Sequence, residues 1–98
     1  MDDFQDLIDL AKSAKGVPAF RDGWVALADQ NVVVVAEQWR VDETIILAHG
    51  SVPLTPPDWL MWLVDGKPIA QDKIPPEQAQ NMWHAIVAAT KRAVPWLR

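Results

Sequence analysis

The chain has 98 residues, half of them hydrophobic and 22% charged, which suits one domain with its own core and excludes a disordered tail. Thirteen acidic residues against nine basic ones leave a formal charge of −4. That balance argues against a general nucleic-acid binder, because phosphate contacts need a basic surface. With no cysteine there is no disulfide framework, no thiolate zinc site and no cysteine nucleophile.

The longest apolar runs, Val32–Ala36 and Trp59–Val64, fall far short of the roughly 18 residues that a membrane span needs. The opening Met1-Asp2-Asp3 carries the wrong sign for a secretory signal. The expectation is one soluble domain over residues 1–98, with no membrane contact and no internal repeat or linker.

The first element is an amphipathic helix from about Asp3 to Lys15. Phe4, Leu7, Ile8, Ala11 and Ala14 recur at helical spacing and form one apolar stripe. Asp2, Asp3 and Asp6 suit the positive end of the helix dipole, Lys12 and Lys15 the negative end. Gly16 then supplies a left-handed stop, and Pro18 blocks continuation.

Strand character begins at Gly23. Trp24–Ala28 is followed by the turn residues Asp29-Gln30-Asn31. Val32–Val35 gives four β-branched residues in a row, which fit a pleated sheet and crowd a helix. That run is apolar on both faces, so it should be a central, covered strand. Val41-Asp42-Glu43 reads as a second turn and Thr44–Ala48 as a third strand ended by Gly50. Turns this short make the three strands an antiparallel meander.

Residues 55–71 carry two readings. Thr55-Pro56-Pro57-Asp58 resembles a capping box with proline in the first turn of a short helix. Asp65-Gly66 between apolar runs is a strong hairpin signal, and the hairpin of Trp59–Val64 with Lys67–Ala70 is the favoured reading. Pro68 then makes the second strand an edge. A last helix spans about Pro76 to Val94, opened by prolines and Glu77 and closed by Lys91, Arg92 and Pro95. The sequence thus predicts an α+β fold: an antiparallel sheet, three-strand meander plus hairpin, packed by N-terminal and C-terminal helices.

The inventory for catalysis is poor. His49 and Ser51 stand two apart at the predicted strand end, a spacing that makes no triad. His49 reads as a cap on the sheet rim. His84 falls on the polar side of the last helix and reads as a solvated surface residue. Two distant histidines do not make a metal site, which wants three or four convergent ligands. Neither a catalytic set, a cofactor site nor a metal site is expected, and the chain reads as a non-enzyme.

Six tryptophans are many for one small core, because each is hard to bury completely. Trp24 and Trp83 read as core. Trp59 and Trp62 would point to opposite faces of a strand, so that one of them approaches solvent or a partner. Trp39, between Gln38 and Arg40, reads as part of a half-exposed strand surface. Tryptophan is enriched at interfaces and binding hot spots, so surplus indole without catalytic residues points to a protein-binding module.

The order of elements, with low pI and small size, resembles the class I type III secretion chaperones of bacteria. Leu7-Ile8-Asp9-Leu10 with Gly16-Val17-Pro18 is similar to their first helix and its exit. Asp29-Gln30-Asn31 before Val32–Val35 is similar to their first strand turn. Asp65–Ala70, Ile74-Pro75 and the close at Pro95-Trp96-Leu97 are similar to their last hairpin and helix. Members carry a helix between meander and hairpin, often used for dimerisation. Only Ser51–Asp58 is open to it here, so either that helix is lost or Trp59–Val64 forms it and the hairpin is lost.

The resemblance implies a cytoplasmic homodimer, a chaperone or adaptor that holds an extended segment of a partner protein, with no direct contact to nucleic acid. The residues read as protein-binding are Phe4, Leu7, Ile8, Trp39, Trp59 and Trp62, with Val33 and Val35 as further candidates that suit the core better. The competing reading is a small acidic inhibitor or immunity-type protein, bacterial or phage-borne, blocking a toxin or a nucleic-acid-handling complex. It would use Asp2, Asp3, Asp6, Asp9, Asp22 and Asp42 as phosphate mimics.

Overall fold

The computed structural model describes residues 3–49, 51 and 55–94. Among these the chain runs helix α1 (Asp3–Ser13), strands β1 (Ala19–Arg21), β2 (Trp24–Asp29) and β3 (Val32–Glu37), and helix α2 (Gln38–Leu47). Strands β4 (Met61–Val64) and β5 (Lys67–Ile69), a 3-10 turn over Gln71–Lys73 and helix α3 (Pro76–Ala93) follow. The five strands form one antiparallel sheet in chain order, β1-β2-β3-β4-β5. The fold is α+β.

Both Asp-Gly pairs close two-residue hairpins, Arg21 facing Trp24 and Val64 facing Lys67. Asp22 and Asp65 take φ 52°, and Gly23 and Gly66 take φ 84° and 81°. Positive φ at both central residues matches the right-handed twist of the flanking strands. β3 is the middle strand, buried from Val32 to Ala36, as its two-faced apolar run requires. β5 is an edge, as Pro68 demands.

The sheet separates two apolar layers. On one face Val25, Leu27, Val34 and Trp62 pack against Val41 and Ile45 of α2 and Trp83, Ile86 and Val87 of α3. On the other, Ala26, Ala28, Val33, Val35 and Leu63 meet Leu7 and Ala11 of α1. One face is thus covered by two helices and the other by one.

The meander is built from other strands than the sequence suggests. Its first strand is Ala19–Arg21, and the predicted third strand, Thr44–Ala48, is not a strand. That stretch belongs to α2, which also absorbs the predicted turn Val41–Glu43. Val41 and Ile45 are one helical turn apart and buried together, and this tertiary burial outweighs the weak helix preference of β-branched residues. Thr44 turns its hydroxyl back to the Arg40 carbonyl at 2.8 Å. The chain therefore has a helix between meander and hairpin, at residues 38–47, while Trp59–Val64 does not form it; residues 52–54 lie outside the described residues. The hairpin is kept, beginning at Met61. Gly50 and the Pro95-Trp96-Leu97 close lie outside the described residues.

Candidate functional site

Strand alternation brings Val33 and Val35 of β3 to the α1 side of the sheet, opposite Leu63 and Met61 of β4. A helix is roughly 10 Å across and strands stand roughly 4.8 Å apart, so α1 alone covers about two strands. Those are β1 and β2. Beside α1, over β3 and β4, lies an open groove of ≈ 880 Å³.

Its floor is Val33, Val35, Leu63 and Met61; the first three are buried and only Met61, 40% exposed, is open. Its wall is one flank of α1, where Phe4, Ile8 and Lys12 stand one turn apart, with Lys15 in the turn after the helix. Phe4 is fixed by an edge-to-face contact with Trp24, ring centroids 4.7 Å apart. The opposite flank of α1 is tied to β1 by Asp6 and Arg21 at 4.0 Å. The groove ends at the β2–β3 and β4–β5 turns, joined where the Asp65 N–H donates to the Asn31 carbonyl at 3.1 Å. Asp65 stands at that end with Lys12 and Lys15, while the Asp29 carboxylate turns to the other face, where Gln78 Nε2 of α3 donates to it at 2.9 Å.

A second apolar surface lies on the outer side of α2. Trp39, Ile46 and Leu47 are 54%, 56% and 71% exposed, and Trp39 and Ile46 lie two turns apart, opposite the buried Val41 and Ile45. The Trp39 indole N–H donates to Glu37 at 3.0 Å, and Glu37 also pairs with Arg40 at 3.7 Å. The Arg40 guanidinium lies 5.4 Å from the Trp39 ring and 5.6 Å from the Trp59 ring. Trp39 is therefore held in one place while more than half open.

The structure divides the sequence-selected residues. Phe4 and Ile8 line the groove half-buried, while Val33 and Val35, 4% and 1% exposed, are core residues at its base, as the sequence reading favours. Leu7 and Trp62 are each 2% exposed and cannot meet a partner. Trp62 packs under α3 and donates its indole N–H to Gln71 at 2.9 Å. Trp59 precedes β4, so it does not oppose Trp62 across a strand; it packs on the same core, edge-on to Trp83 at 6.0 Å. Trp39 belongs to a helix, not to a strand surface. Met61, the most open residue of the groove floor, was missed; its alternation with Leu63 marks the face once the hairpin register is known.

His49 does not cap a strand; it follows α2, exposed, at φ 53°. His84 is half-buried, with Nε2 enclosed and without a hydrogen-bond partner, not solvated. No group of three or more potential metal ligands occurs among the described residues. Asp2 lies outside the described residues, and Asp6, Asp9, Asp22 and Asp42 do not form one cluster. Asp6 and Asp22 flank Arg21, and Asp9 accepts from Gln5 at 3.0 Å. Asp42 is half-buried on α2, where desolvation raises its pKa above the ordinary aspartate value. No described helix is long and apolar enough to cross a membrane. No family model matches the chain, and no curated protein and no solved structure matches it.

Proposed function

We propose that the protein is a non-enzymatic chaperone or adaptor that holds a segment of a partner polypeptide in the groove between α1 and β3–β4. The observation that carries this reading is the groove beside α1, where half-buried Phe4 and Ile8 stand with the 40% exposed Met61. The groove joins the apolar Phe4, Ile8 and Met61 to a polar end with Lys12, Lys15, Gln30, Asn31 and Asp65, a mixture that suits a polypeptide segment with both apolar and polar side chains. The order helix, three-strand meander, helix, hairpin, helix is also the order that the resemblance to class I type III secretion chaperones implies. With α2 in place the helix between meander and hairpin is no longer a departure. The reading includes a cytoplasmic location and a homodimer through the outer face of α2, where Trp39, Ile46 and Leu47 lie exposed. An inhibitor acting as a phosphate mimic has less support, because its aspartates are scattered.

A photo-crosslinking side chain at position 61, with a control at exposed Arg92 on α3, tests the groove in lysate of the host. Crosslinks to polypeptide should form at 61 and not at 92, and should persist at high salt because apolar burial is not screened. Crosslinks absent from 61, or lost as ionic strength rises, would defeat the reading. Light scattering tests the dimer: the wild type should run at twice the mass of the Ile46→Lys, Leu47→Lys double variant. A monomeric wild type removes the α2 interface.

A further inference from the structure

We infer that Asp65-Gly66 is a self-modifying site, where the aspartate side chain closes onto the glycine nitrogen and reopens as an isoaspartyl link, while the matching pair Asp22-Gly23 is protected by its neighbours. The inference does not depend on what the groove holds.

Water is the one co-reactant. The Gly66 nitrogen attacks Cγ of the Asp65 carboxyl group in its acid form. A C–N bond forms, and the nitrogen's proton leaves with the carboxyl hydroxyl as water. The product is a cyclic imide. Water then adds to the main-chain carbonyl of that ring and breaks its bond to the Gly66 nitrogen, so that the chain now runs through Cγ. One water is released and one is taken up. Mass and net charge are unchanged, and nothing is oxidised or reduced.

The hairpin geometry favours the first step. Only Asp22 and Asp65, of all the aspartates, precede glycine, so only there does the attacking nitrogen belong to a residue without a Cβ. Both aspartates already stand at φ 52°. A two-residue hairpin closes with either a type I′ or a type II′ turn, and a flip of the central peptide separates them. The flip keeps φ positive at the first residue and carries the second from positive to negative φ, a passage that glycine makes freely. It swings the glycine nitrogen toward the aspartate side chain and leaves the flanking pair, Val64 with Lys67, in register. Asp65 and Gly66 are exposed, and even an added Cβ at Gly66 would meet nothing within 4 Å. Proximity of this kind replaces an encounter with a rotation.

What separates the two turns is what holds them. Arg21 Nε lies 3.6 Å from Asp22 Oδ2, and the Gly23 carbonyl accepts the Gln38 N–H at 2.8 Å. Both reacting residues of that turn are tethered. In the other turn the Asp65 N–H donates to the Asn31 carbonyl at 3.1 Å. This bond steadies the side of Asp65 that carries its positive φ. Neither the Asp65 carboxylate nor Gly66 has a further partner among the described residues. Conversion adds one carbon to the main chain of a turn that fits two residues, beside the bond that joins the two hairpins and at the end of the groove.

The test keeps the folded full-length protein at neutral pH for weeks. It is then digested with a protease that cuts before aspartate and not before isoaspartate, and the peptides are weighed. Missed cleavage before residue 65, at unchanged peptide mass, should build up about threefold or more faster than before residue 22, the scale of an exposed ion pair. In urea, where the tethers are gone, the two sites should convert alike. Arg21→Gln, a change at an exposed residue, should speed position 22 and leave 65 as it was; no change at 22 overturns the protection assigned to the guanidinium. Equal rates in the folded protein, a faster rate at 22, or a position 65 that stays intact while the chain in urea reacts overturns the inference.

Discussion

Asp42 shows how a single side chain can work against the fold that contains it. Its Oδ1 is enclosed and accepts no hydrogen bond, and burial raises its pKa. The folded state then binds a proton at higher pH than the unfolded state does. Stability therefore falls as pH rises from the ordinary aspartate value through the raised one, and the penalty is fully present above it. Asp42→Asn should raise the melting temperature at pH 7, and the gap should close below the ordinary aspartate range; melts at the two pH values check it. At Gly66 the backbone alone sets the cost. φ is 81° and an added Cβ would meet nothing within 4 Å, so Gly66→Ala should lose about 1 kcal/mol in urea unfolding, through the left-handed conformation only. The tryptophans divide by environment: Trp83 is fully buried and Trp62 nearly so, Trp24 and Trp59 are half-buried, and Trp39 is 54% exposed. Composition announced a surplus of indole. Which ring carries it depends on α2, and no count of residues could assign it.

Elements with a strong period or strong stops were legible in the sequence. α1, α3, β2, β3 and the β4–β5 hairpin appear close to where Gly16, Pro76, Asn31 and Asp65-Gly66 place them. The two misreadings have different causes. β1 was overlooked although Asp22-Gly23 is the same hairpin signal as Asp65-Gly66, because only three residues precede it in the strand. α2 was misread because Thr44-Ile45-Ile46-Leu47 has the local composition of a strand. Its helical signal, Val41 followed by Ile45, becomes decisive only once α3 and the sheet cover that face. Adjacent isoleucines separate the two structures experimentally. Ile45 is 1% exposed and Ile46 is 56% exposed. Ile45→Ala should cost about 3 kcal/mol in urea unfolding, as a fully buried isoleucine does, and Ile46→Ala, measured in a Leu47→Lys background where the proposed dimer contact is removed, less than about 0.5 kcal/mol.

For the molecule as a whole, the α+β class follows from the pattern of elements, but the groove does not. The groove arises from how many helices the chain sends to each face, and that number depends on whether residues 38–47 form a strand or a helix. With α2 on the α3 side, α1 is the one described helix on the groove face. Phe4, Ile8, Val33 and Val35 could be selected by apolarity alone; only the register of β3 with β4 brings Met61 and Leu63 beside them.

That register has a mechanical consequence. β1 to β3 is one zip of short hairpins and β4–β5 is another, and within the sheet they meet only between Val32–Val35 and Met61–Val64. The chain closes this seam across α2 and the loop after it, at a greater entropic cost than either hairpin turn. The seam is therefore the sheet's natural line of parting, and the groove runs directly above it. A ligand lying there would touch both halves and act as a splint. Amide exchange at Val33 and Leu63 should slow on occupancy more than at Val25 or Ala26, so that cargo and carrier steady one another.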